Sequence, residues 1–309
     1  MKICITGGAG FIGSNVADKY IELGHEIVVI DNLSLGFKNN IPSTTKFYEI
    51  DINDPKISKI FAEEKFDLVT HFAAQMSVRH SVASPLEDAQ TNILGGINIL
   101  DAAVQTGVKK VIFASSAGTV YGEQEQFPCD ETHPNNPVCP YGVSKYSLEK
   151  YIQYYNNVHG LDYTIFRYTN VYGPRQNPFG EAGVIAIFAL KMLKNEDTYI
   201  TNYGKITRDY VYIDDVVNAN VLALSPEIKG VFNISTGIET DLNSIFDNVA
   251  KLTNYTKPKN YTTAKIGEQL RSVCSYTKFE KLTGWKPTVF LEEGLPKTVE
   301  FYKSLTNNK

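Results

Sequence analysis

A glycine-rich loop between a strand pattern and a helix pattern constrains this chain more than any other feature. The apolar run KICIT at 2–6 leads into TGGAGFIG at 6–13, and an amphipathic helical pattern covers 11–23. In such a loop the first glycine permits a tight turn, the second lets the backbone approach a pyrophosphate, and the third allows close helix–strand packing. The positive end of the helix favours the anion. This pattern predicts a dinucleotide site on Gly7, Gly10 and Gly13.

An acid at the end of the next strand completes the dinucleotide pattern. Asp31 closes the apolar run EIVVID at 26–31, at the spacing from the glycine loop that ribose binding requires. Its carboxylate can accept hydrogen bonds from the adenosine ribose diol and repels a 2′-phosphate, so NAD is favoured over NADP. Lys38 is not far away, but no arginine stands in DNLSLGFKNN. Asp51, at the end of a third strand, either bonds the adenine amino group or caps that strand.

Short apolar runs alternate with amphipathic helical patterns through the first half of the chain. Alternation of this kind predicts right-handed βαβ units and a parallel sheet covered by helices on both faces. We therefore expect an α/β protein with a doubly wound Rossmann sheet and a smaller, interleaved C-terminal α/β lobe that binds the substrate. The predicted strands are 2–6, 26–31, 46–51, 68–73, 110–115 and 163–168, and the clearest helices are 11–23, 90–106 and 141–158.

The alternation breaks after the sixth strand, which indicates a second lobe. A loop rich in Gly and Pro at 171–178 precedes a predicted helix near 181–194 and a strand near 197–203. Two later segments, 208–224 and 231–236, have the pattern of a return to the main sheet. The predicted cofactor domain is 1–170 plus 208–236, and the predicted substrate domain is 171–207 plus 237–309.

Composition and charge argue against several classes of partner. The net charge is −4 and no run of five basic residues occurs, so a nucleic-acid or anionic membrane surface is not expected. No apolar stretch approaches the roughly 18 residues of a membrane span. Residues 2–6 lack the pattern of a signal peptide, so the expected location is the cytoplasm. The four cysteines form no C-x-x-C pair, which favours free thiols and predicts no metal site.

A tyrosine and a lysine stand one helical turn apart at the start of PYGVSKYSLEKY. Pro140 suits the first turn of a helix, and Tyr141 and Lys145 then share one helix face. The nearby ammonium and the positive helix end should favour the phenolate and so lower the pKa of Tyr141. Beside a nicotinamide, such a phenol can accept the proton of an alcohol while hydride leaves the same carbon. The alternative is an ordinary Tyr and Lys on a tyrosine-rich helix surface.

Ordered sequence blocks along nearly the whole chain carry a family resemblance. They are GGAGFIGS, DNLS, HFAAQ, SSAGTVYGE, PYGVSKYSLEK, FRYTNVYGPRQ, RDYVYIDDVV and GW. Together they resemble the extended short-chain dehydrogenase/reductase superfamily, in particular its UDP-glucose 4-epimerase-like branch. The resemblance implies an NAD-dependent 4-epimerase of UDP-glucose and UDP-galactose, with UDP-GlcNAc and UDP-GalNAc as a further option. It would act through a transient 4-keto sugar, with Tyr141 as proton acceptor and Lys145 tuning it.

The resemblance and the motifs together indicate which residues surround the cofactor and the substrate. Arginine suits the substrate pyrophosphate because its fork binds oxyanions bidentately. The expected cofactor contacts are Gly7, Gly10, Phe11, Ile12, Gly13, Asp31, Asn32, Ser34, Gly36, Asp51, Ile52, Phe72, Ala73, Ala74, Gln75, Asn92, Ser115, Tyr141, Lys145 and Tyr168. The expected substrate contacts are Ser77, Ser116, Tyr141, Asn170, Val184, Arg208, Arg271 and Ser272.

Two positions near the expected catalytic site depart from the pattern of many relatives. Their catalytic Ser or Thr stands four residues before the tyrosine of V-Y-G, where this chain has Ala117. We therefore expect Ser116 to be the catalytic hydroxyl, with Ser115 and Thr119 as rivals. Met76 stands where some relatives carry a lysine near the cofactor, which puts that contact in doubt.

Three further positions bear on which substrate and which reaction type are expected. Ser272 stands where glucose-restricted relatives carry a bulky aromatic, so room for an N-acetyl group at carbon 2 is expected. Related dehydratases need an acidic pair where Gly118 and Thr119 stand, and related decarboxylases usually carry glutamate at Thr119, so both reactions are disfavoured. UDP-glucuronate 4-epimerase remains an alternative. So does a protein of another class, a non-catalytic NAD-binding regulator, although such proteins commonly lose the tyrosine or the lysine.

A homodimer is expected from the resemblance alone. Relatives pair through the helices that here span 90–106 and 141–158, and these form a four-helix bundle. The apolar positions that fit the inside of such a bundle fit packing against the sheet equally well. They are Ile93, Ile97, Leu100 and Val104.

Overall fold

The computed structural model describes residues 1–179, 183–263 and 269–307. The start of the helix predicted near 181–194 lies outside the described residues. The strands of the described part are β1 (Lys2–Thr6), β2 (Glu26–Asp31), β3 (Lys46–Glu49), β4 (Leu68–His71), β5 (Lys110–Ser116), β6 (Asp162–Tyr168), β7 (Asn170–Tyr172), β8 (Tyr199–Thr201), β9 (Thr207–Tyr212), β10 (Gly230–Ile234), β11 (Glu239–Asp241), β12 (Asn260–Thr262) and β13 (Arg271–Ser272).

Helices occupy most of the remaining chain, and a π-helical segment (Gln90–Gly95) precedes the fifth of them. No helix in the described part of the chain is long and apolar enough to cross a membrane. The α-helices are α1 (Phe11–Glu22), α2 (Ile57–Glu64), α3 (Val78–Ala83), α4 (Pro85–Ala89), α5 (Gly96–Thr106), α6 (Ala117–Val120), α7 (Pro140–His159), α8 (Val184–Leu193), α9 (Ile213–Leu222), α10 (Leu242–Thr253), α11 (Thr277–Thr283) and α12 (Leu291–Asn307).

Seven strands form the main sheet, in the order β10-β6-β5-β4-β1-β2-β3, and all neighbours are parallel. The chain builds outward from β1 through β2 and β3, and then returns to the other side of β1 with β4. Sheets of this kind bind ligands outside the carboxyl ends of the strands at that reversal. The predicted doubly wound Rossmann sheet is confirmed, and its crevice lies between the segments that follow β1 and β4.

Both faces of the main sheet are apolar because helices cover both. In β1, Cys4 packs with the cluster under α2, α5 and α7, whereas Ile3 and Ile5 pack with the cluster under α1 and α9. Burying one such aliphatic side chain contributes about 1.5–3 kcal/mol. On α7, Leu148 and Ile152 belong to the first cluster, so the helix that carries the predicted catalytic pair is fixed directly to the sheet.

The smaller lobe is built around a second, four-stranded sheet of β11, β9 and β13, with β7 also paired to β9. The strands β8 and β12 form a separate pair. The predicted return to the main sheet is confirmed for β10, but it is wrong for β9. The edge beside β6 is taken by β10, and among the described strands β9 pairs with β7, β11 and β13 of the small sheet. The predicted domain boundary at residue 208 therefore separates β9 from its pairing partners.

Candidate active site

The glycine loop has a conformation that side chains would block. Gly7 has a φ of 71°, and a Cβ on it would lie 2.6 Å from the amide nitrogen of Ala73. A Cβ on Gly13 would lie 2.3 Å from the carbonyl oxygen of Gly7. Gly10 is the N-cap of α1, which continues from there through Phe11 and the neighbouring Ile12. The loop thus presents backbone N–H groups at the positive end of α1, and these suit a pyrophosphate.

Asp31 ties the glycine loop to the end of β2. Its Oδ2 accepts a hydrogen bond from the Ala9 amide at 3.0 Å, and its Oδ1 accepts one from the Leu33 amide at 2.8 Å. Burial raises the pKa of Asp31, and these two hydrogen bonds oppose the rise. Gly36 packs closely on the loop, since a Cβ on it would lie 2.7 Å from the Ala9 Cβ. The carboxylate therefore lies beside the loop, as the predicted ribose contact requires.

Asp51 organises the turn after β3. Its Oδ1 accepts hydrogen bonds from the Asn53 amide at 2.8 Å and from Asn53 Nδ2 at 2.9 Å, and its Oδ2 accepts one from Asn32 Nδ2 at 2.6 Å. Burial raises the pKa of Asp51, but these hydrogen bonds outweigh it and hold the pKa below its usual value. The structure thus shows the capping role, and the adenine contact stays a prediction. Asn32 Oδ1 also accepts from the Ser34 amide at 3.0 Å, while the Ile52 side chain is buried in the core.

Residues 72–75 form the opposite wall of the crevice. The Phe72 amide donates to the Thr6 carbonyl at 3.0 Å, and the Ala73 amide lies 3.3 Å from Thr6 Oγ1. These residues and Ala74 are half-buried, as expected for the wall of a ligand crevice. The backbone cradle, the carboxylate of Asp31 and this wall fit a dinucleotide.

A buried hydrogen-bond network centred on Asp88 lies behind that wall. Oδ1 of Asp88 accepts from Gln75 Nε2 at 2.7 Å and from Asn92 Nδ2 at 2.9 Å, and Oδ2 accepts from Ser144 Oγ at 2.6 Å. Asn92 Oδ1 accepts from the Gln75 amide at 3.0 Å, and Asn92 Nδ2 donates to the Gln75 carbonyl at 2.9 Å. The side chain of Asn92, predicted as a cofactor contact, therefore holds the Gln75 segment in place.

Tyr141 and Lys145 lie in the first two turns of α7, with Pro140 at the first helical position as predicted. The Lys145 ammonium donates to the Ala114 carbonyl at 3.0 Å. Its Nζ lies 4.8 Å from the ring centroid of Phe113 and 5.8 Å from that of Tyr141. The ammonium is therefore anchored near the carboxyl end of β5, with the phenol beside it.

The ionisation of this pair differs from the sequence prediction. Burial raises the pKa of Tyr141, and the negative charge of Asp88 adds to the rise. Burial lowers the pKa of Lys145 to about 8, although Asp88 and Glu149 oppose that change. The predicted lowering of the Tyr141 pKa is wrong for the protein by itself. Desolvation disfavours the phenolate more strongly than the neighbouring ammonium favours it.

The three candidate hydroxyls around the end of β5 have different surroundings. Ser115 Oγ donates to Glu149 Oε1 at 2.5 Å inside the core, so this hydroxyl faces away from the crevice. Thr119 Oγ1 is buried and has no hydrogen-bond partner among the described residues. Ser116 is half-buried, and a Cβ on Gly118 would lie 3.9 Å from Ser116 Oγ and 4.0 Å from Asn170 Oδ1. Ser116 therefore faces the predicted substrate residue Asn170 across Gly118, which favours it over Ser115.

Tyr168 ends β6, but its phenol points into the core. Asn220 Nδ2, on α9, donates to Tyr168 Oη at 2.8 Å, and the Tyr168 ring centroid lies 5.8 Å from that of Phe166. Alternation along the strand puts both rings on the face covered by α9. A cofactor contact by the Tyr168 side chain, which the resemblance implied, is not supported by this placement.

The strand register of the small sheet shows which predicted substrate residues lie on the same face of that sheet. Asn170 pairs with Tyr210, and Ser272 pairs with Arg208. Paired residues share a face of a sheet, and residues two apart on one strand share it too. Asn170, Arg208 and Ser272 therefore lie on the same face, although they are distant in the sequence.

Arg271 points away from that face. Its Nε and Nη2 donate to the two carboxylate oxygens of Glu239, each at 2.7 Å, and its guanidinium carbon lies 3.7 Å from the ring centroid of Phe127. Adjacent residues of a strand face opposite sides, so Arg271 cannot share a ligand face with Ser272 and Arg208. This placement does not support the predicted pyrophosphate contact of Arg271, and the contact of Arg208 stays a prediction.

Three further residues were predicted to contact the substrate, and their positions in the fold are as follows. Ser272 is buried, and its Oγ has no hydrogen-bond partner within the part of the chain that the structure describes. Ser77 is the N-cap of α3, where its Oγ accepts a hydrogen bond from the His80 amide at 3.0 Å. Val184 begins α8, next to residues outside the described ranges. Met76, one residue before Ser77, is exposed.

A buried ion pair that the sequence analysis missed fixes α7 to β6. Arg167 Nη2 lies 2.6 Å from Glu149 Oε2, and Arg167 Nε donates to Glu149 Oε1 at 3.0 Å. The same carboxylate accepts the hydrogen bond from Ser115. One signal could have found Glu149: it stands four residues after Lys145 and eight after Tyr141, on the same helix face.

The cysteines offer no metal site. All four are buried free thiols, and the closest pair, Cys129 and Cys274, has its Sγ atoms 3.5 Å apart. Within residues 1–179, 183–263 and 269–307, no three or more His, Cys, Asp or Glu residues cluster in a way that could hold a metal ion.

Comparison with known proteins agrees with the dinucleotide crevice. Residues 3–235 match the NAD dependent epimerase/dehydratase family. The chain belongs to this family. Its cofactor is therefore NAD, as Asp31 and the glycine loop predicted.

Members of the family resemble this chain over nearly its whole length. A UDP-glucose 4-epimerase of Mycolicibacterium smegmatis is 39% identical over 98% of this chain and 99% of that protein. The crystal structure of a Thermotoga maritima UDP-glucose 4-epimerase with UDP-glucose is 46% identical, with a TM-score of 0.96, over 99% of this chain and 100% of that one. A UDP-N-acetylglucosamine 4-epimerase of Methanobrevibacter ruminantium, in complex with UDP-N-acetylmuramic acid, is 33% identical, with a TM-score of 0.92, over 98% of each chain.

Proposed function

We propose that the protein is an NAD-dependent 4-epimerase of a UDP-hexose, in the first place of UDP-glucose and UDP-galactose. One observation carries the proposal. Lys145 is anchored on the Ala114 carbonyl with Tyr141 beside it, so the pair lies near the carboxyl end of β5, the strand that Ser116 ends. Epimerases of UDP-sugars that match almost the full chain support the substrate class.

The reaction at carbon 4 needs a group that takes the 4-hydroxyl proton and gives it back. When bound, NAD supplies a hydride acceptor for carbon 4 and a donor for its return. Tyr141 accepts the hydroxyl proton as the carbonyl forms and donates it as the hydroxyl re-forms on the turned sugar. Burial raises the pKa of Tyr141, which makes its phenolate a strong base, and the Lys145 ammonium stabilises that phenolate. Ser116 donates a hydrogen bond to the reacting oxygen.

The small sheet would hold the nucleotide part of the substrate. Asn170 and Arg208 lie on its one shared face, and the Arg208 guanidinium suits a pyrophosphate. Ser272, on the same face, has a small side chain, which supports acceptance of N-acetylated sugars. The 33% identical relative named for UDP-N-acetylglucosamine points in the same direction.

The dehydratase reaction is disfavoured by the shape of the site. Loss of water from carbons 5 and 6 needs an acid and a base at those two carbons. The two positions after Ala117 are Gly118 and Thr119, neither of which carries a carboxylate. The space around Gly118 is open, since the nearest atoms to a Cβ there would be 3.9 Å and 4.0 Å away.

We also infer that two copies pair through α4, the π-helical segment and α7. An apolar surface there exposes large side chains: Leu86 is 85% exposed, and Val143 is 47% exposed. Surfaces of this kind commonly mark protein interfaces. Leu100 is buried against the sheet and takes no part, whereas Ile93 and Ile97 are half-buried. Light scattering should give a dimer mass for the protein and a smaller mass for Val143→Glu, and a monomer mass for both would contradict the pairing.

Product analysis with three separate substrates tests the proposed function. Purified protein is incubated with UDP-galactose, UDP-N-acetylgalactosamine or UDP-glucuronate, and the products are separated by chromatography. We expect UDP-glucose from the first and the gluco epimer from the second. Conversion of UDP-glucuronate alone would favour the uronate epimerase. Bound NAD with no turnover of any sugar would favour a non-catalytic regulator. A cytoplasmic location stays a prediction from the sequence.

A further inference from the structure

Asp88 is a buried carboxylate that the proposed reaction does not use. It lies in α4, is 0% exposed, and accepts hydrogen bonds from Gln75, Asn92 and Ser144. Buried carboxylates are costly unless hydrogen-bonded, and breaking such a network leaves unpaired groups in the interior.

The three donors belong to three separate parts of the site. Gln75 is in the wall of the cofactor crevice, and Asn92 is in the π-helical segment that supports this wall. Ser144 is in α7, directly before Lys145 and three residues after Tyr141. The carboxylate of Asp88 therefore joins the cofactor wall to the helix turn that carries the catalytic pair.

We propose that Asp88 is a positioning residue that sets the place of Tyr141 and Lys145 relative to the cofactor wall, and whose negative charge acts on both side chains. This inference rests on the proposed epimerase function for its kinetic consequences. The structural part of it does not, since the hydrogen bonds are present in the protein by itself.

The groups that face the pair show what the charge of Asp88 does. Burial lowers the pKa of Lys145, and the carboxylates of Asp88 and of Glu149 both oppose this. Burial raises the pKa of Tyr141, and Asp88 raises it further, followed by Cys139. Other titratable neighbours add little charge near neutral pH. Burial lowers the pKa of His71 to about 3, and burial raises the pKa of the Cys139 thiol, so both are neutral.

Removing the charge should lower both pKa values. The phenolate of Tyr141 becomes easier to form without a nearby anion, and the ammonium of Lys145 becomes easier to deprotonate. The limbs of a pH profile of kcat report ionisations in the substrate complex, where Tyr141 and Lys145 face the bound ligands. Both limbs should therefore move to lower pH in Asp88→Asn, by about one unit or more for a charge within about 12 Å at an effective dielectric constant of about 20.

The control for Asp88→Asn keeps the Asp88 side chain and removes one of its three hydrogen-bond donors. Ser144→Ala deletes the donor on α7 and leaves the Asp88 side chain in place. We expect it to lower kcat several-fold with little change in KM and with both limbs in place. Asp88→Ser serves as a second charge-free variant in case Asp88→Asn folds poorly. Should neither fold, an unchanged kcat in Ser144→Ala would overturn the positioning role.

A readout without turnover separates this inference from the proposed function. In protein labelled with ¹³Cε-lysine, the Lys145 resonance is assigned with Lys145→Arg and titrated by NMR. Its midpoint should fall in Asp88→Asn and stay unchanged in Ser144→Ala. If wild type and Asp88→Asn have the same Lys145 titration midpoint and the same limbs in the pH profile of kcat, the inference is overturned. A wild-type protein inactive on every UDP-sugar would instead overturn the proposed function while the titration still reports on Asp88.

Discussion

The cofactor crevice depends mainly on local sequence segments, whereas the substrate face depends on strand pairing between distant segments. The crevice is made by short segments that fold on themselves, such as the loop from Gly7 to Gly13 and the helix turn from Tyr141 to Lys145. The substrate face is made by register, since Asn170 and Ser272 reach one face only because β7 and β13 both pair with β9. Local motifs thus carry the chemistry, and long-range pairing carries the substrate contacts.

The largest expected effect on activity is that of a substitution beside the cofactor crevice, at Tyr141. Tyr141→Phe removes the proton acceptor and should lower kcat about a thousandfold, the scale of general acid–base catalysis. NAD should remain bound, because the glycine loop and Asp31 are untouched. Steady-state kinetics and release of the nucleotide by denaturation check both parts. Tyr151→Phe, an exposed tyrosine on the same helix, is the control and should keep full activity.

The second prediction compares two arginines that are close to each other across β9 and β13. Arg208→Ala should raise KM for the UDP-sugar about 30-fold, as expected for the loss of a charged hydrogen bond to phosphate. Arg271→Ala should change KM less than about threefold, because its guanidinium is engaged with Glu239 on the other face. Equal effects of the two changes would contradict the register argument.

The third prediction tests the backbone cradle. In Gly13→Ala the new Cβ would lie 2.3 Å from the Gly7 carbonyl oxygen, so the loop must shift. We expect NAD affinity to fall about tenfold, measured by calorimetry on protein stripped of cofactor, which corresponds to about 1.4 kcal/mol. Gly24→Ala is matched to it, since Gly24 has a φ of 81° but no atom within 4 Å of a Cβ. That variant should lose some stability and keep its NAD affinity.

The smallest expected effect concerns the choice between sugars. Ser272→Tyr should reduce kcat/KM for UDP-N-acetylgalactosamine about tenfold more than for UDP-galactose, because one methyl-sized clash is worth about 1–3 kcal/mol. Ser272→Ala should leave the ratio unchanged. An equal loss on both substrates would mean that the new side chain disturbs the sheet and does not select the sugar.

Much of the fold and of the cofactor site was readable from the sequence because the signals are local. Each of the six early strands is present within a few residues of its predicted ends, and Pro140, Tyr141 and Lys145 have the predicted helical spacing. Asp31 lies beside the glycine loop because β1 and β2 pair directly.

The expectations that the structure does not support share one physical cause, which is that a motif does not tell where a neighbouring side chain points. Arg271 and Ser272 are adjacent in the sequence and therefore face opposite sides of β13. Tyr168 follows the strand alternation into the core. The raised pKa of Tyr141 depends on burial that no four-residue spacing reveals.

The hydrogen-bond network of Asp88 shows most clearly that sequence spacing does not predict which side chains meet in the fold. Its three donors stand 13, 4 and 56 residues away along the chain, and only the folded structure brings them to one carboxylate. No sequence spacing predicted this network, although it lies directly behind the residues that were predicted to line the cofactor.

An isotope experiment tests the central claim most directly. UDP-galactose deuterated at carbon 4 is incubated with the protein in ordinary water, and the UDP-glucose formed is analysed by mass spectrometry and NMR. If the site removes hydrogen from carbon 4 and returns it to the same sugar, the product keeps its deuterium at carbon 4. Loss of the label to solvent, or label retained without any change of configuration, would contradict the account.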